Sequence, residues 1–82
     1  MVVVAGENFP DDLACLTCAH VLSGEPVYLV ARDAEDGWQF LCNRAHNETD
    51  ARVIGVGEAL TIEPRLSSLA PLRPNESVIL PE

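Results

Sequence analysis

The chain contains no lysine, and its five arginines are outnumbered by thirteen aspartates and glutamates. Without lysine the protein cannot form a Schiff base with a substrate, and it lacks the phosphate-binding lysine of P-loop nucleotide-binding proteins. The net charge of −8 repels nucleic-acid phosphates and anionic lipid headgroups. We therefore expect neither a nucleic-acid partner nor a membrane partner.

Long apolar runs are also missing. No run approaches the roughly 20 residues of a membrane-spanning helix, and the start, MVVVAGENFP, lacks the basic region and apolar core of a signal peptide. No internal repeat, low-complexity tract or linker divides the sequence. These features predict one small cytoplasmic domain spanning residues 1–82.

The cysteines are few and odd in number. Three cysteines cannot complete a disulfide framework, and a chain without an export signal is expected in a reducing compartment. A domain of 82 residues has a small core, so it gains from an additional link between its elements. A bound metal ion supplies such a link, and so does a protein partner or an oligomer.

The middle of the chain carries the clearest strand pattern. Residues 26–32 (PVYLVAR) are rich in β-forming side chains and run into an acidic turn that Gly37 closes. Residues 38–42 (WQFLC) follow at once, which predicts a β-hairpin. The period of two places three side chains of the second strand on one face, which we expect to be the core: Trp38, Phe40 and Cys42.

The first half of the chain is less regular. Residues 1–10 are expected to form an edge strand or a loose N-terminal arm. Residues 13–21 (LACLTCAHV) fit an extended segment that leads into a helical turn, which we favour, or a helix that begins at Asp11. Residues 43–51 are almost entirely polar and are predicted to form a surface loop.

The second half adds further elements. Residues 52–56 (RVIGV) predict a third strand, in which Gly55 marks a bulge or the close approach of another backbone. Pro64 suits the first position of a short helix, and residues 77–80 can return as a last strand. The predicted fold is α+β: a small antiparallel β-meander with one or two short helices packed on one face.

The strongest local motif is a C-x2-C pair followed by C-x3-H, formed by Cys15, Cys18, Cys42 and His46. Zinc binds four such ligands in a tetrahedron. A C-x2-C turn can direct two thiolates at one point, and the hairpin returns Cys42 towards that pair. The sequence therefore predicts a structural Cys3His site for Zn2+, in which His20 can replace Cys15 or His46.

Other interpretations of the same residues remain open. Reduced cysteine packs as a small hydrophobe, and Cys42 fits that role beside Trp38 and Phe40. A redox C-x2-C pair or a Cys–His nucleophile is less well supported, because the pair does not begin a helix after a βαβ strand. The acidic clusters lie in turns, where carboxylates are solvated. We therefore predict no catalytic residues and no enzymatic activity.

Four segments of the sequence resemble a known family. They are SGEPV (residues 23–27), DGWQFLC (36–42), IGV (54–56) and PRLSSLAPL (64–72), and the likeness covers roughly residues 14–79. In these segments the chain is similar to the bacterial immunity protein family 33. The resemblance implies a small α+β domain that neutralises a toxin by binding it, and it transfers no catalytic residue.

The chain departs from that family at its metal-binding motif. Cys18 is an addition, and Cys42 and His46 stand where the family often has a glycine-rich or acidic stretch. Two functions therefore follow from the sequence. The first is a non-catalytic binding module whose acidic surface complements a basic protein partner, such as a toxin. The alternative is a small zinc-binding domain with an unknown partner.

Overall fold

The computed structural model describes residues 1–35, 37–44 and 48–81, with the side chain of residue 48 left aside. Within these residues the protein is α+β, as the sequence predicts: a two-stranded antiparallel sheet, a five-stranded mixed sheet and short helices. None of the described helices combines the length and the apolar character needed to cross a bilayer.

The N-terminal residues form a hairpin of their own. Strand β1 (Val2–Val4) pairs antiparallel with β2 (Glu7–Phe9) across a two-residue turn. Both turn residues have positive φ, 51° at Ala5 and 79° at Gly6, as a tight hairpin with right-handed twist requires. The sequence prediction allowed for one strand here, and the structure adds the second.

The main sheet has the strand order β6-β3-β5-β4-β7. Its strands are β3 (Ala14–Cys18), β4 (Leu29–Arg32), β5 (Trp38–Leu41), β6 (Ala51–Gly55) and β7 (Ser77–Ile79). The predicted β4–β5 hairpin is present, and three of the four pairs are antiparallel. The β3–β5 pair is parallel, so the sheet is mixed rather than a pure meander. The parallel pair arises because the chain leaves β3, passes into β4, and returns with β5 between them.

Short helices connect the strands. Helix α1 (Ala19–Leu22) follows β3 directly, which confirms the extended segment leading into a helical turn. Helix α2 (Val56–Ile62) follows β6 in the same way, and 3-10 helices span Glu48–Asp50 and Pro64–Ser68. The turn after α1 is closed by Gly24, whose φ of 114° few other residues adopt.

The predicted core face of β5 is confirmed. Trp38 is 2% exposed, Phe40 and Cys42 are also buried, and the Trp38 ring contacts Phe9 edge-on at 5.8 Å between centroids. The buried guanidinium of Arg32 lies 5.0 Å from the centre of the Trp38 ring. It is paired with Glu7, so a single cation ties the N-terminal hairpin to the main sheet.

Candidate metal centre

Three potential metal ligands converge at one end of the sheet. The ligand atoms of Cys18, His20 and Cys42 all lie within 4.8 Å of one another. The Cys42 Sγ is 3.5 Å from the Cys18 Sγ and 3.5 Å from the His20 Nδ1. The three side chains can therefore bind one metal ion together.

The parallel pairing of β3 and β5 accounts for this convergence. Thr17 of β3 is in register with Phe40 of β5, and both strands run in the same direction. Cys18 is the last residue of β3 and Cys42 follows the last residue of β5, so the two thiols come together where the strands finish. The change from strand to helix at Cys18, whose own backbone is extended, then places His20 in the first turn of α1.

Two of the three distances within the group are close to the edges of a tetrahedral zinc site. Zinc binds thiolate sulfur at about 2.3 Å and imidazole nitrogen at about 2.0 to 2.1 Å. A tetrahedron with these bond lengths has a sulfur–sulfur edge of about 3.8 Å and a sulfur–nitrogen edge of about 3.6 Å. The observed 3.5 Å between Cys18 and Cys42, and 3.5 Å between Cys42 and His20, are both within a few tenths of an ångström of these edges.

The two thiols are buried, and His20 is half-buried. Cys18 is 1% exposed and Cys42 is 5% exposed. Burial, followed by the hydrogen bond with Cys18, raises the pKa of the Cys42 thiol above its usual value. At neutral pH the Cys42 thiol is therefore protonated without a metal, and a bound cation would displace its proton.

Cys15 does not join this group. Cys15 and Cys18 are three residues apart in one extended strand, and an odd separation directs their side chains to opposite faces. The strand that the sequence favoured for this segment is present, and it excludes the C-x2-C turn on which the predicted metal site depended. Burial and then the carboxylate of Glu58 in α2 raise the pKa of Cys15 to about 11. Cys15 is therefore a buried protonated thiol, in agreement with the packing interpretation of that residue.

The ligand group in the structure differs from the predicted one, because it contains His20 and lacks Cys15. Of the four residues predicted, the structure brings Cys18 and Cys42 together, and His46 lies outside the described residues. His20 completes the observed group in the place that the sequence prediction gave to Cys15. The sequence signal for His20 as a ligand is its position two residues after Cys18. That position brings His20 close to the two thiols because a helix begins at Ala19.

A shallow cavity of about 230 Å³ adjoins the centre. It includes Asn43, the neighbour of Cys42, and Glu25, whose backbone N–H donates to the His20 carbonyl at 3.0 Å. Arg44 in its wall pairs with Glu25 at 3.4 Å, and Arg65 in the same wall pairs with Glu63 at 2.7 Å, so both positive charges are already compensated. The charges of the cavity wall therefore do not indicate a binding site for an anion.

The comparisons with known proteins add no relative. A scan against protein-family models, a search of curated proteins and a search of solved structures give no match. The resemblance to the bacterial immunity protein family 33 accordingly stays a prediction from the sequence.

Proposed function

We propose that this protein is a small zinc-binding domain in which Cys18, His20 and Cys42 bind one Zn2+ ion. The observation that carries the proposal is the convergence of three ligand atoms within 4.8 Å. A fourth ligand completes the tetrahedron, either a water molecule or His46 as predicted from the sequence.

The chemistry of the three donors favours zinc. Thiolate sulfur is a soft ligand and imidazole nitrogen a borderline one, which suits Zn2+, whereas Mg2+ and Ca2+ select oxygen ligands. Because the ligands come from the ends of β3 and β5 and from α1, one ion would link three elements. In a domain of 82 residues such a link contributes directly to folding.

Cobalt substitution tests this coordination. Reduced, tag-free protein is titrated with Co2+, whose absorption spectrum reports tetrahedral geometry and thiolate ligation, and Zn2+ is then added in competition. We expect saturation at one equivalent with a thiolate-to-cobalt band that zinc abolishes. Cys18→Ser and Cys42→Ser should each weaken that band, and His20→Ala should shift the ligand-field bands and weaken binding by about 10-fold or more.

Two further variants complete the experiment. Cys15→Ala removes the one buried thiol outside the group, so its spectrum should match that of the unmodified protein. His46→Ala distinguishes the fourth ligand: loss of affinity assigns it to His46, and an unchanged affinity assigns it to water. A spectrum that is lost in Cys15→Ala but kept in Cys18→Ser would contradict the proposed ligand set.

We also propose a second function, a protein-binding module with a basic partner such as a toxin. The supporting observation is strand β6, which lies at an edge of the main sheet with Val53 71% exposed. An edge strand presents backbone groups that an added strand can pair with. The net charge of −8 favours a partner of opposite charge.

The two edges of the sheet provide a matched test of this second function. A partner captured from the source cells is purified, and its affinity is measured at low and at high salt. Val53→Ser should weaken binding, whereas Ile79→Ser at the opposite edge, also exposed, should not. Affinity that is independent of salt, or equal losses in both variants, would count against this role.

A further inference from the structure

We infer that Cys18 and Cys42 form a reversible disulfide, and that this disulfide and zinc exclude each other at the same site. The first half concerns the two thiols alone. The second half rests on the proposed zinc-binding function, because it makes oxidation the event that releases the metal.

The geometry of the two thiols supports this pairing. Their sulfur atoms are 3.5 Å apart, and a disulfide requires about 2.05 Å. Each sulfur therefore needs to move by less than an ångström. Cys18 ends β3 and Cys42 lies just beyond β5, so neither residue is in the interior of its strand.

The third cysteine does not compete for this bond. Cys15 lies outside the group that contains the other two sulfur atoms, because the pleat of β3 directs its side chain to the opposite face from that of Cys18. A sulfenic acid formed at Cys18 or Cys42 thus has one neighbouring thiol to resolve it. The expected product is a single defined disulfide.

The oxidant in this reaction is a hydroperoxide, and the experiment uses hydrogen peroxide as the probe. A sulfur of the pair, as thiolate, attacks one peroxide oxygen. The O–O bond breaks, and the leaving hydroxide takes up a proton to give water. The second sulfur then attacks the sulfenic sulfur, the S–O bond breaks, and the hydroxyl leaves as water with the proton of the second thiol. Two thiols and one hydrogen peroxide give one disulfide and two waters.

The zinc-loaded protein also consumes one hydrogen peroxide and gives one disulfide and two waters. The two sulfurs are already thiolates, so the two protons come from solvent, and Zn2+ leaves as the disulfide forms. Of the observed group only the His20 imidazole then remains as a ligand, which is too few to hold the ion. A dithiol reductant restores both thiols and, with them, zinc binding.

Tryptic mapping locates the disulfide. Because the chain lacks lysine, trypsin cuts only after arginine, which separates residues 1–32, with Cys15 and Cys18, from residues 33–44, with Cys42. Zinc-loaded and metal-free proteins are treated with one equivalent of hydrogen peroxide, alkylated under denaturing conditions and digested without reductant. A colorimetric chelator records zinc release from a parallel sample.

The expected result is a cross-linked pair of these two peptides with one zinc released per disulfide. Its mass is the sum of the two reduced peptides less two hydrogens, plus the one alkyl group on Cys15. Cys15→Ala should give the same cross-link and the same release, which assigns the bond to Cys18. Cys18→Ser and Cys42→Ser should give none. Reduction with dithiothreitol should reverse both signals.

The outcomes separate this inference from the zinc proposal. Zinc binding without a Cys18–Cys42 cross-link overturns the inference and leaves the zinc proposal intact. A cross-link that forms while zinc stays bound overturns the mutual exclusion. If the protein binds no zinc, the zinc proposal and the exclusion fail, and the cross-link in metal-free protein alone decides the first half.

Discussion

Cys42 lies where the hydrophobic core meets the candidate metal centre. It continues the buried face of Trp38 and Phe40, and its sulfur also contacts Cys18 and His20. Packing and metal binding therefore both account for a cysteine at this position. A substitution that is measured with and without zinc separates the two roles.

Cys42→Ala should cost more in the presence of zinc than in its absence. Without zinc we expect a loss of about 1 to 2 kcal/mol from removed packing. At zinc concentrations of about 100 times the dissociation constant, the unmodified protein gains about 2.7 kcal/mol that the variant lacks. Urea unfolding of both proteins measures this difference, with Cys15→Ala as the control that retains the zinc-dependent gain. Equal losses with and without zinc would mean that Cys42 only packs.

Trp38 is the largest buried side chain, and it supports both the core and the cation of Arg32. We expect Trp38→Ala to lower the free energy of unfolding by about 3 to 5 kcal/mol. The measurement is urea unfolding followed by circular dichroism, because the substitution removes the one tryptophan of the chain. A nearly neutral result would contradict the packing role that burial assigns to this side chain.

At the scale of elements, the junction of β6 with α2 lies against the chain that enters β3. The Val56 N–H donates to the Leu13 carbonyl at 2.9 Å, and the Gly57 N–H donates to the Asp11 carbonyl at 2.9 Å. A Cβ on Gly55 would lie 2.8 Å from the Asp11 carbonyl oxygen. The close backbone approach that the sequence predicted at Gly55 is therefore confirmed.

Gly55→Ala should destabilise the protein, since a backbone oxygen cannot move away as a flexible side chain can. Overpacking of this kind costs about 1 to 3 kcal/mol. Chemical denaturation should show a lower midpoint with an unchanged slope. A change below about 0.5 kcal/mol would show that the two segments separate without cost.

Glu63 stabilises the start of the 3-10 helix at Pro64–Ser68. Its carboxylate accepts hydrogen bonds from the Arg65 side chain, at 3.0 Å from Nε and 2.7 Å from Nη2, and these hydrogen bonds lower its pKa from the ordinary 4.5. A lowered pKa in the folded state contributes stability above pH 4.5, and this contribution is lost as the pH falls through the folded-state value.

Glu63→Gln should consequently reduce the dependence of stability on acidic pH. The stability difference between the unmodified protein and the variant is expected to be largest near neutral pH and to shrink below pH 4.5. Thermal unfolding across this range measures it, with Glu35→Gln in the exposed turn as the control. A difference that grows on acidification would contradict the assigned pKa direction.

Local patterns predicted some elements better than others. The β4–β5 hairpin follows from alternating apolar residues and an acidic turn, which act over a few neighbouring positions. The parallel pairing of β3 with β5 depends on residues far apart in the sequence, such as Thr17 and Phe40. No local period encodes that pairing, and it is the pairing that brings Cys18 to Cys42.

The same distinction explains the ligand set. The C-x2-C spacing suggests a turn, yet Cys15 and Cys18 belong to one strand whose pleat separates them. His20 joins the group because a helix begins directly after Cys18. A sequence pattern can therefore identify the residue types of a metal site, while the backbone conformation decides which of them meet.

At the scale of the whole molecule, the protein is a small α+β domain with a net charge of −8. Its pair of thiols, Cys18 and Cys42, lies where the parallel strands β3 and β5 end. Acidic charge favours solubility and basic partners, whereas the compact core leaves little stability to spare. A metal ion bound by Cys18 and Cys42 would add stability where these two strands end.

Native mass spectrometry of tag-free protein, refolded with one equivalent of zinc, tests the central claim most directly. The account predicts a dominant species that carries one zinc and lacks the two thiol protons, retained in Cys15→Ala and lost in Cys18→Ser and Cys42→Ser. A metal-free species alone, or zinc retained equally in all three variants, would contradict a zinc site formed by Cys18, His20 and Cys42.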